Sequence, residues 1–343
     1  MKREWGHAVL TEKNRMHLYK DVLDDYLNAG DDARVARRGE LLSHVLMAND
    51  VLPDEVLRLH VAALEHLGKT ISVEMMQSLR LLRDVFNGYQ RAFDEMKVLK
   101  NRQKQLDKEI QIAAEIQKSL LKKQSPSYSH AAIGAITQPA REMSGDYYQV
   151  FTSEHDRLGV AIADVVGKGI PAAMCMSMIK YAMDSFPELD SYPDRMLTNL
   201  NRVVARNADP SMFVTMLCGF YDPNEHQFLY ASAGHEPGFY YNAAEDQFSD
   251  LQAKGIALGI VQESSYTLYR QPVNAGDMIF LFTDGVTDSR CQDIFFGRDR
   301  LEQMIRCHLQ LSAGQLAERI FYELEKFQNF TLYDDFTFIA IKF

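Results

Sequence analysis

ADVVGKGIPAA, residues 163–173, decides how the rest of the chain is read. Its Gly-Lys-Gly invites comparison with a phosphate-cradling loop, but the upstream glycine and the hydroxyl residue after lysine of a GxxxxGK[ST] motif are both missing. The chemical group left is Asp164. It ends an apolar run that reads as a strand, Gly167 and Gly169 give the backbone room to turn, and Pro171 suits the first turn of a helix.

Three further aspartates stand at the edge of apolar strand-like runs: Asp146 in REMSGDYYQVF, Asp284 in DMIFLFTDGVTDS and Asp335 in TLYDDFTFIAIKF. One such acid is more often a turn-former or a helix cap. Four brought to one end of a sheet would repel one another, raise their pKa values and destabilise the fold unless cations bound between them. All-oxygen donors without His or Cys select hard ions, Mg²⁺ or Mn²⁺, rather than zinc. A pair of such ions, roughly 3.5–4 Å apart, could hold a hydroxide in line with phosphorus.

Around these motifs lie short β-rich runs at 132–137, 158–163, 213–221, 227–231, 238–241, 265–269, 278–282 and 336–343. Asp222-Pro223-Asn224 predicts a hairpin between the third and fourth of them. Helical patterns interrupt the strands at 171–185, 194–207, 298–309 and 313–327. Hairpins mixed with helices, without strict alternation, predict an α+β domain of sheets sandwiched between helix layers.

Upstream the character is different. Residues 1–84 show helical periodicity, with Gly30 and Gly68 as stops, Asp31 as an N-cap and Pro53 in a first turn. From Tyr89 a heptad begins, with a positions Tyr89, Met96, Gln103, Ile110 and Gln117 and d positions Ala92, Leu99, Leu106, Ala113 and Leu120. Its narrow apolar seam fits a long helix that pairs weakly with a second copy; a helix packed on its own catalytic domain fits the periodicity equally. Pro126 and the neighbouring serines should end it. The domains expected are 1–84, helical and partner-binding; 85–123, a linker helix; and 124–343, catalytic.

Composition bounds the function. A length of 343 residues suggests two domains at roughly 150 residues each. A net charge of -10 argues against nucleic acid as the main partner. The four cysteines are widely spaced, which suggests neither a zinc motif nor a disulfide framework. No apolar run approaches the roughly 18 residues of a membrane span, so a cytoplasmic protein without membrane contact is expected. No Cys-x₅-Arg is present to support cysteine-dependent phosphatase chemistry.

SGDYY, ADVVGKGIPAAMCMSMIK, SAGHEPGFYY, LFTDGVTD and the terminal DDFT together resemble the metal-dependent Ser/Thr protein phosphatases of the bacterial SpoIIE/RsbU branch. The helical N-terminal part and IQIAAEIQKSLL extend that resemblance over the whole chain. It implies an α/β/β/α sandwich holding two Mn²⁺ or Mg²⁺ ions. Asp164 would bridge them, the Val165 carbonyl would add a ligand, and Asp146, Asp284 and Asp335 would complete the set; Asp334 and Asp288 are close enough in sequence to substitute. Val165 stands where the family often has glycine. Arg141 and Lys168 could contact a phosphoprotein and His235 could donate a proton, each against a plainer structural reading. The resemblance further implies an RsbT-like switch kinase acting on the N-terminal domain, a phosphorylated RsbV-like anti-anti-sigma factor as substrate, and a homodimer through the linker helix. A non-catalytic scaffold and a hydrolase of small phosphate esters are the rival functions.

Overall fold

The computed structural model describes residues 11–29, 33–49, 51–121, 128–152, 156–167, 169–185, 192–292 and 294–343. The signals at Gly30, Asp31 and Pro126, and the candidate Lys168, lie outside them. Two compact units divide the chain, Met1–Leu106 and Asp107–Phe343.

In the first unit, α1 (Glu12–Ala29), α2 (Ala33–Ala48) and α3 (Pro53–His66) precede α4, which begins at Val73 and continues to Leu121. Pro53 stands at the start of α3, where its missing N–H costs nothing, and Gly68 follows the helix at φ +67°. Both local signals are read correctly. A small core of Val22 from α1, Leu42 and Leu46 from α2 and Val51 from the turn after α2 has Val56 and Leu59 of α3 packed against it. Along α4 the heptad residues Tyr89, Met96, Leu99 and Leu106 are exposed.

The second unit is a four-layer sandwich. One antiparallel sheet has the order β2 (Asp146–Thr152), β3 (Leu158–Val165), β4 (Val214–Asp222), β5 (Gln227–Ala233), β8 (Tyr269–Pro272). The other runs β1 (Ala132–Gln138), β12 (Phe336–Lys342), β9 (Met278–Phe282), β6 (Gly238–Asn242), β7 (Gln247–Leu251). Between them, Val160, Ile162, Leu217 and Phe228 of the first sheet meet Ile279, Leu281, Ile339 and Ile341 of the second. Strand alternation sends the other residues outward: Ala161, Ala163 and Cys218 pack under α5 (Ile170–Ser185) and α6 (Pro193–Asn207). Phe280, Phe282 and Phe338 pack under α8 (Gly297–Cys307) and α9 (Ala313–Phe327). Helices therefore cover both outer faces, and the strands are buried on two sides, which is why they read as nearly continuous apolar runs. A single turn, α7 (Asp284–Thr287), and the short pair β10 (Arg290–Cys291) and β11 (Ile294–Phe295) complete the unit.

The hairpin forms as expected. β4 and β5 pair up to Asp222 opposite Gln227, and the Asp222 carboxylate accepts from the amides of Asn224 and Glu225 to close the turn. The run at 265–269 is a correction: β8 spans Tyr269–Pro272, and its pairing with β5 ends at Tyr269 opposite Tyr230. β2 was read only as an apolar run beside Asp146, and β7, β10 and β11 were not foreseen. β2 starts on Asp146 itself, and β7 is an exposed edge with little apolar content.

Candidate metal centre

The first pair of acids is placed by strand register. β2 and β3 run antiparallel with Asp146 directly opposite Asp164. Directly opposed residues put their side chains about 5 Å apart on one face. Asp146 is 3% exposed, and its Oδ2 accepts from the hydroxyls of Thr283 at 2.8 Å and Thr337 at 2.6 Å. Those threonines belong to the other sheet's strand ends, so the carboxylate sits between the sheets at one end of the sandwich. Burial, followed by the charge of Asp164, pushes the Asp146 carboxyl well above its usual range; Asp335 adds a smaller push, and the two threonine hydroxyls oppose the rise.

Val165 ends β3 with its side chain in the core under α5. Its amide donates to the Gly145 carbonyl, and its own carbonyl oxygen lies 3.1 Å from where a Cβ on residue 145 would stand. The next turn uses Gly167 and Gly169 at φ +109° and +78°, conformations that glycine adopts without strain, before α5 begins at Ile170. The opening motif is thus a strand end, a glycine turn and a helix start.

Asp284 is delivered by β9 as the first residue of α7. It stays open to solvent at the rim. Crowding by the surrounding protein, then the charges of Asp334, Asp288 and Glu236, raises its carboxyl pKa. Asp335 has a different setting. Its Oδ1 accepts from the Ala140 amide at 2.8 Å, and its Oδ2 accepts from the Gly145 amide at 2.6 Å and the Ser144 hydroxyl at 3.1 Å. Its carboxylate is engaged by the 140–145 segment, whereas Asp334 stands near enough to Asp284 to repel it.

Of the other candidates, Arg141 is exposed on that same segment. His235 is 6% exposed. Its Nε2–H donates to the Phe282 carbonyl at 3.2 Å, and its Nδ1 accepts from the Thr215 hydroxyl at 3.1 Å. Burial lowers its pKa to about 4, so the ring is neutral and joins the strand that ends at Phe282 to the opposite sheet. Because the unfolded His235 binds a proton below pH ~6.5 and the folded one does not until about 4, stability falls as pH drops through that window. The full effect is about 3 kcal/mol. Urea unfolding at pH 7 and pH 4.5 should show the stability difference between the natural protein and His235→Gln changing by about 2–3 kcal/mol; a difference independent of pH would refute the assignment.

Several residues escaped the sequence reading. Thr283 and Thr337 flank the acids in FTD and DDFT, and that adjacency was the available signal. Glu236 follows His235 and is held by Thr287 and by Arg298, whose guanidinium also lies 4.4 Å over the Phe239 ring. Ser144 carried no local signal, and Gln117 was read only as a heptad a position.

Among the described residues, no three His, Cys, Asp or Glu side chains are already gathered as one cation cage. The donor chemistry still fits hard divalent cations. It consists of carboxylates and a strand-end carbonyl, with a buried acid facing another acid across a strand pair, a repulsion that a cation relieves.

A family model for stage II sporulation protein E matches residues 154–343, and one for the N-terminal domain of phosphoserine phosphatase RsbU matches residues 17–92. The phosphoserine phosphatase RsbU of Bacillus subtilis is 44% identical over 305 residues, 89% of this chain and 91% of that protein. The phosphoserine phosphatase RsbP of the same organism is 22% identical, over 64% of this chain and 53% of its own length. In fold, the PP2C domain of SiaA from Pseudomonas aeruginosa superposes with a TM-score of 0.61 at 21% identity, covering 71% of this chain and 98% of that one. The RsbU and RsbW domains of a Mycobacterium tuberculosis protein give a TM-score of 0.53 at 23% identity, over 63% of this chain and 61% of that one. No helix among the described residues is long and apolar enough to cross a membrane. With residues 17–92 and 154–343 both matched and a relative 44% identical over 89% of its length, the chain belongs to the RsbU-type phosphoserine phosphatases, whose catalytic domain is of the SpoIIE kind.

Proposed function

We propose that this chain dephosphorylates the phosphoserine of an RsbV-like anti-anti-sigma factor, using two Mn²⁺ or Mg²⁺ ions, and that an RsbT-like switch kinase activates it through residues 1–84. The observation that carries the reading is the buried Asp146 facing Asp164 at the end of the sandwich, with its charge disfavoured until a cation arrives. Asp164, Asp146 and the Val165 carbonyl hold one side of the site, and Asp284 holds the other. The three hydrogen bonds that Asp335 accepts favour assigning Asp334 as the ligand beside Asp284 and Asp335 as the organiser of the 140–145 segment. When bound, such ions lower the pKa of a water molecule and neutralise phosphoryl oxygens. Thr283 and Thr337 fix the Asp146 carboxylate, and Arg141, exposed on the same segment, is positioned as the candidate contact for the phosphate of a protein substrate. Residues 85–123 serve as the linker helix through which two copies pair in the cytoplasm.

The test is turnover of a phosphorylated anti-anti-sigma protein with Mn²⁺, with and without chelator and partner. Chelator should lower turnover at least about a hundredfold, and deleting residues 1–84 should abolish the partner's effect. Chelator-insensitive turnover would sink the mechanism. An aryl phosphate hydrolysed as efficiently as the phosphoprotein would point instead to a small-ester hydrolase.

A further inference from the structure

The 49 residues of α4 contain one buried side chain, and it is a glutamine, Gln117, at 6% exposure. Its Nε2 donates to the Ser144 carbonyl at 2.8 Å, and the Ser144 amide donates back to its Oε1 at 3.2 Å. The amide thus reads the backbone of residue 144 in both directions, as a neighbouring strand would. Turning the amide over would set donor against donor and acceptor against acceptor, so the orientation is fixed by the pairing.

From Ser144 the connections run directly to the acids. Its hydroxyl donates to Asp335 Oδ2 at 3.1 Å and accepts from the Asp146 amide at 3.0 Å. The Gly145 amide donates to the same Asp335 oxygen, and the Gly145 carbonyl accepts from Val165, next to Asp164. Residues 144–146 are therefore held from one side by Asp335 and from the other by the last turns of the helix. Ile112, Ile116 and Leu120 leave a different face of those turns exposed, so docking through Gln117 does not use up the helix's apolar surface.

We propose that Gln117 is a positioning residue that sets the register between the linker helix and the Ser144–Gly145–Asp146 segment, and so determines how well Asp146 can serve a divalent cation. The inference rests on the metal-site reading above. Its geometry is discrete: a one-residue slide moves the helix by about 1.5 Å and a one-residue rotation by about 100°, and either breaks both amide bonds. Such a contact is either made or lost, so a change in the helix's register would be felt at residues 144–146.

The test uses the full chain with Gln117→Leu, which keeps a buried side chain of similar size but removes both bonds, and Lys118→Ala as an exposed control one residue away. Hydrogen exchange of the metal-free protein reads the 140–146 segment, and calorimetric titration with Mn²⁺ reads the site without any substrate. Gln117→Leu is expected to speed exchange of that segment at least about tenfold and to weaken Mn²⁺ binding about tenfold, with KM for phosphoprotein changed much less than the Mn²⁺ requirement. Lys118→Ala should match the natural protein. If the leucine variant does not fold, Gln117→Glu, of the same shape but lacking the donor to the Ser144 carbonyl, must show the same two effects. Unchanged exchange, or faster exchange with unchanged Mn²⁺ affinity, overturns the proposal. If the natural protein binds no Mn²⁺ at all, the metal-site reading fails by itself, and the exchange data still decide whether Gln117 holds the segment.

Discussion

Asp146→Asn lowers turnover of a phosphoserine protein by roughly 10³-fold and, in the same protein without metal, raises the unfolding free energy at pH 7 by about 1–3 kcal/mol. The two effects have opposite signs because they come from one cause. Asp146 is buried, faces Asp164, and is pushed well above the ordinary carboxylate pKa, so its charge opposes folding and attracts a cation. An asparagine keeps an acceptor for Thr283 and Thr337 while removing the charge. The pH dependence carries the sign. A carboxyl whose folded pKa is raised above its unfolded value near 4 binds more protons when folded, so the contribution of Asp146, opposite in sign to that of His235, falls as pH rises through that interval and then levels off. The advantage of the variant should therefore shrink as the metal-free proteins are taken from pH 7 toward pH 4. Equal stabilities at pH 7 would mean that the Asp146 charge is already compensated within the chain.

Gly285→Ala should lower turnover by about a hundredfold and destabilise the fold by about 1–3 kcal/mol. Gly285 follows Asp284 in α7, and a Cβ there would overlap the backbone carbonyl oxygen of Asp335. Backbone cannot rotate away as a side chain can, so the turn carrying Asp284 or the segment carrying Asp334 and Asp335 has to move. A displacement of an ångström at a ligand is enough for the loss of rate. Gly314→Ala, in the first turn of α9 with nothing within 4 Å of the new Cβ, provides the contrast: it should be neutral or stabilising by up to about 1 kcal/mol. Thermal unfolding and steady-state kinetics on the two alanine variants, side by side, separate a site-specific effect from a general loss of glycine.

Much of the architecture was written locally. Nearly continuous apolar runs marked β3, β4, β5, β9 and β12, and Ala313–Phe327 matched its helical pattern, with a capping box, Ser312 with Gln315, fixing its start. β2 was read only as an apolar run beginning at Asp146, without bounds, and its extent to Thr152 came from its pairing with β3. The heptad also had two outcomes that periodicity could not separate. Up to Leu106 its residues are exposed, whereas Gln117, placed by the pattern at a core position facing another helix, is buried against Ser144 of its own chain.

The sequence by itself determined that strands end in aspartates, that Asp164 is followed by a turn and a helix, and that helices would cover both sheets, because apolar period and turn chemistry act between near neighbours. Tertiary structure decided where each acid stands and what it contacts. Asp334 and Asp335 are adjacent and chemically identical, yet one stands beside Asp284 while the other accepts three hydrogen bonds from residues 140–145. His235 became a neutral tie between sheets for the same reason: its partners, Thr215 and Phe282, lie 20 and 47 residues away. Side-chain roles of this kind depend on strand register and on which donors are within about 3 Å, and those distances exist only once the sheets have packed.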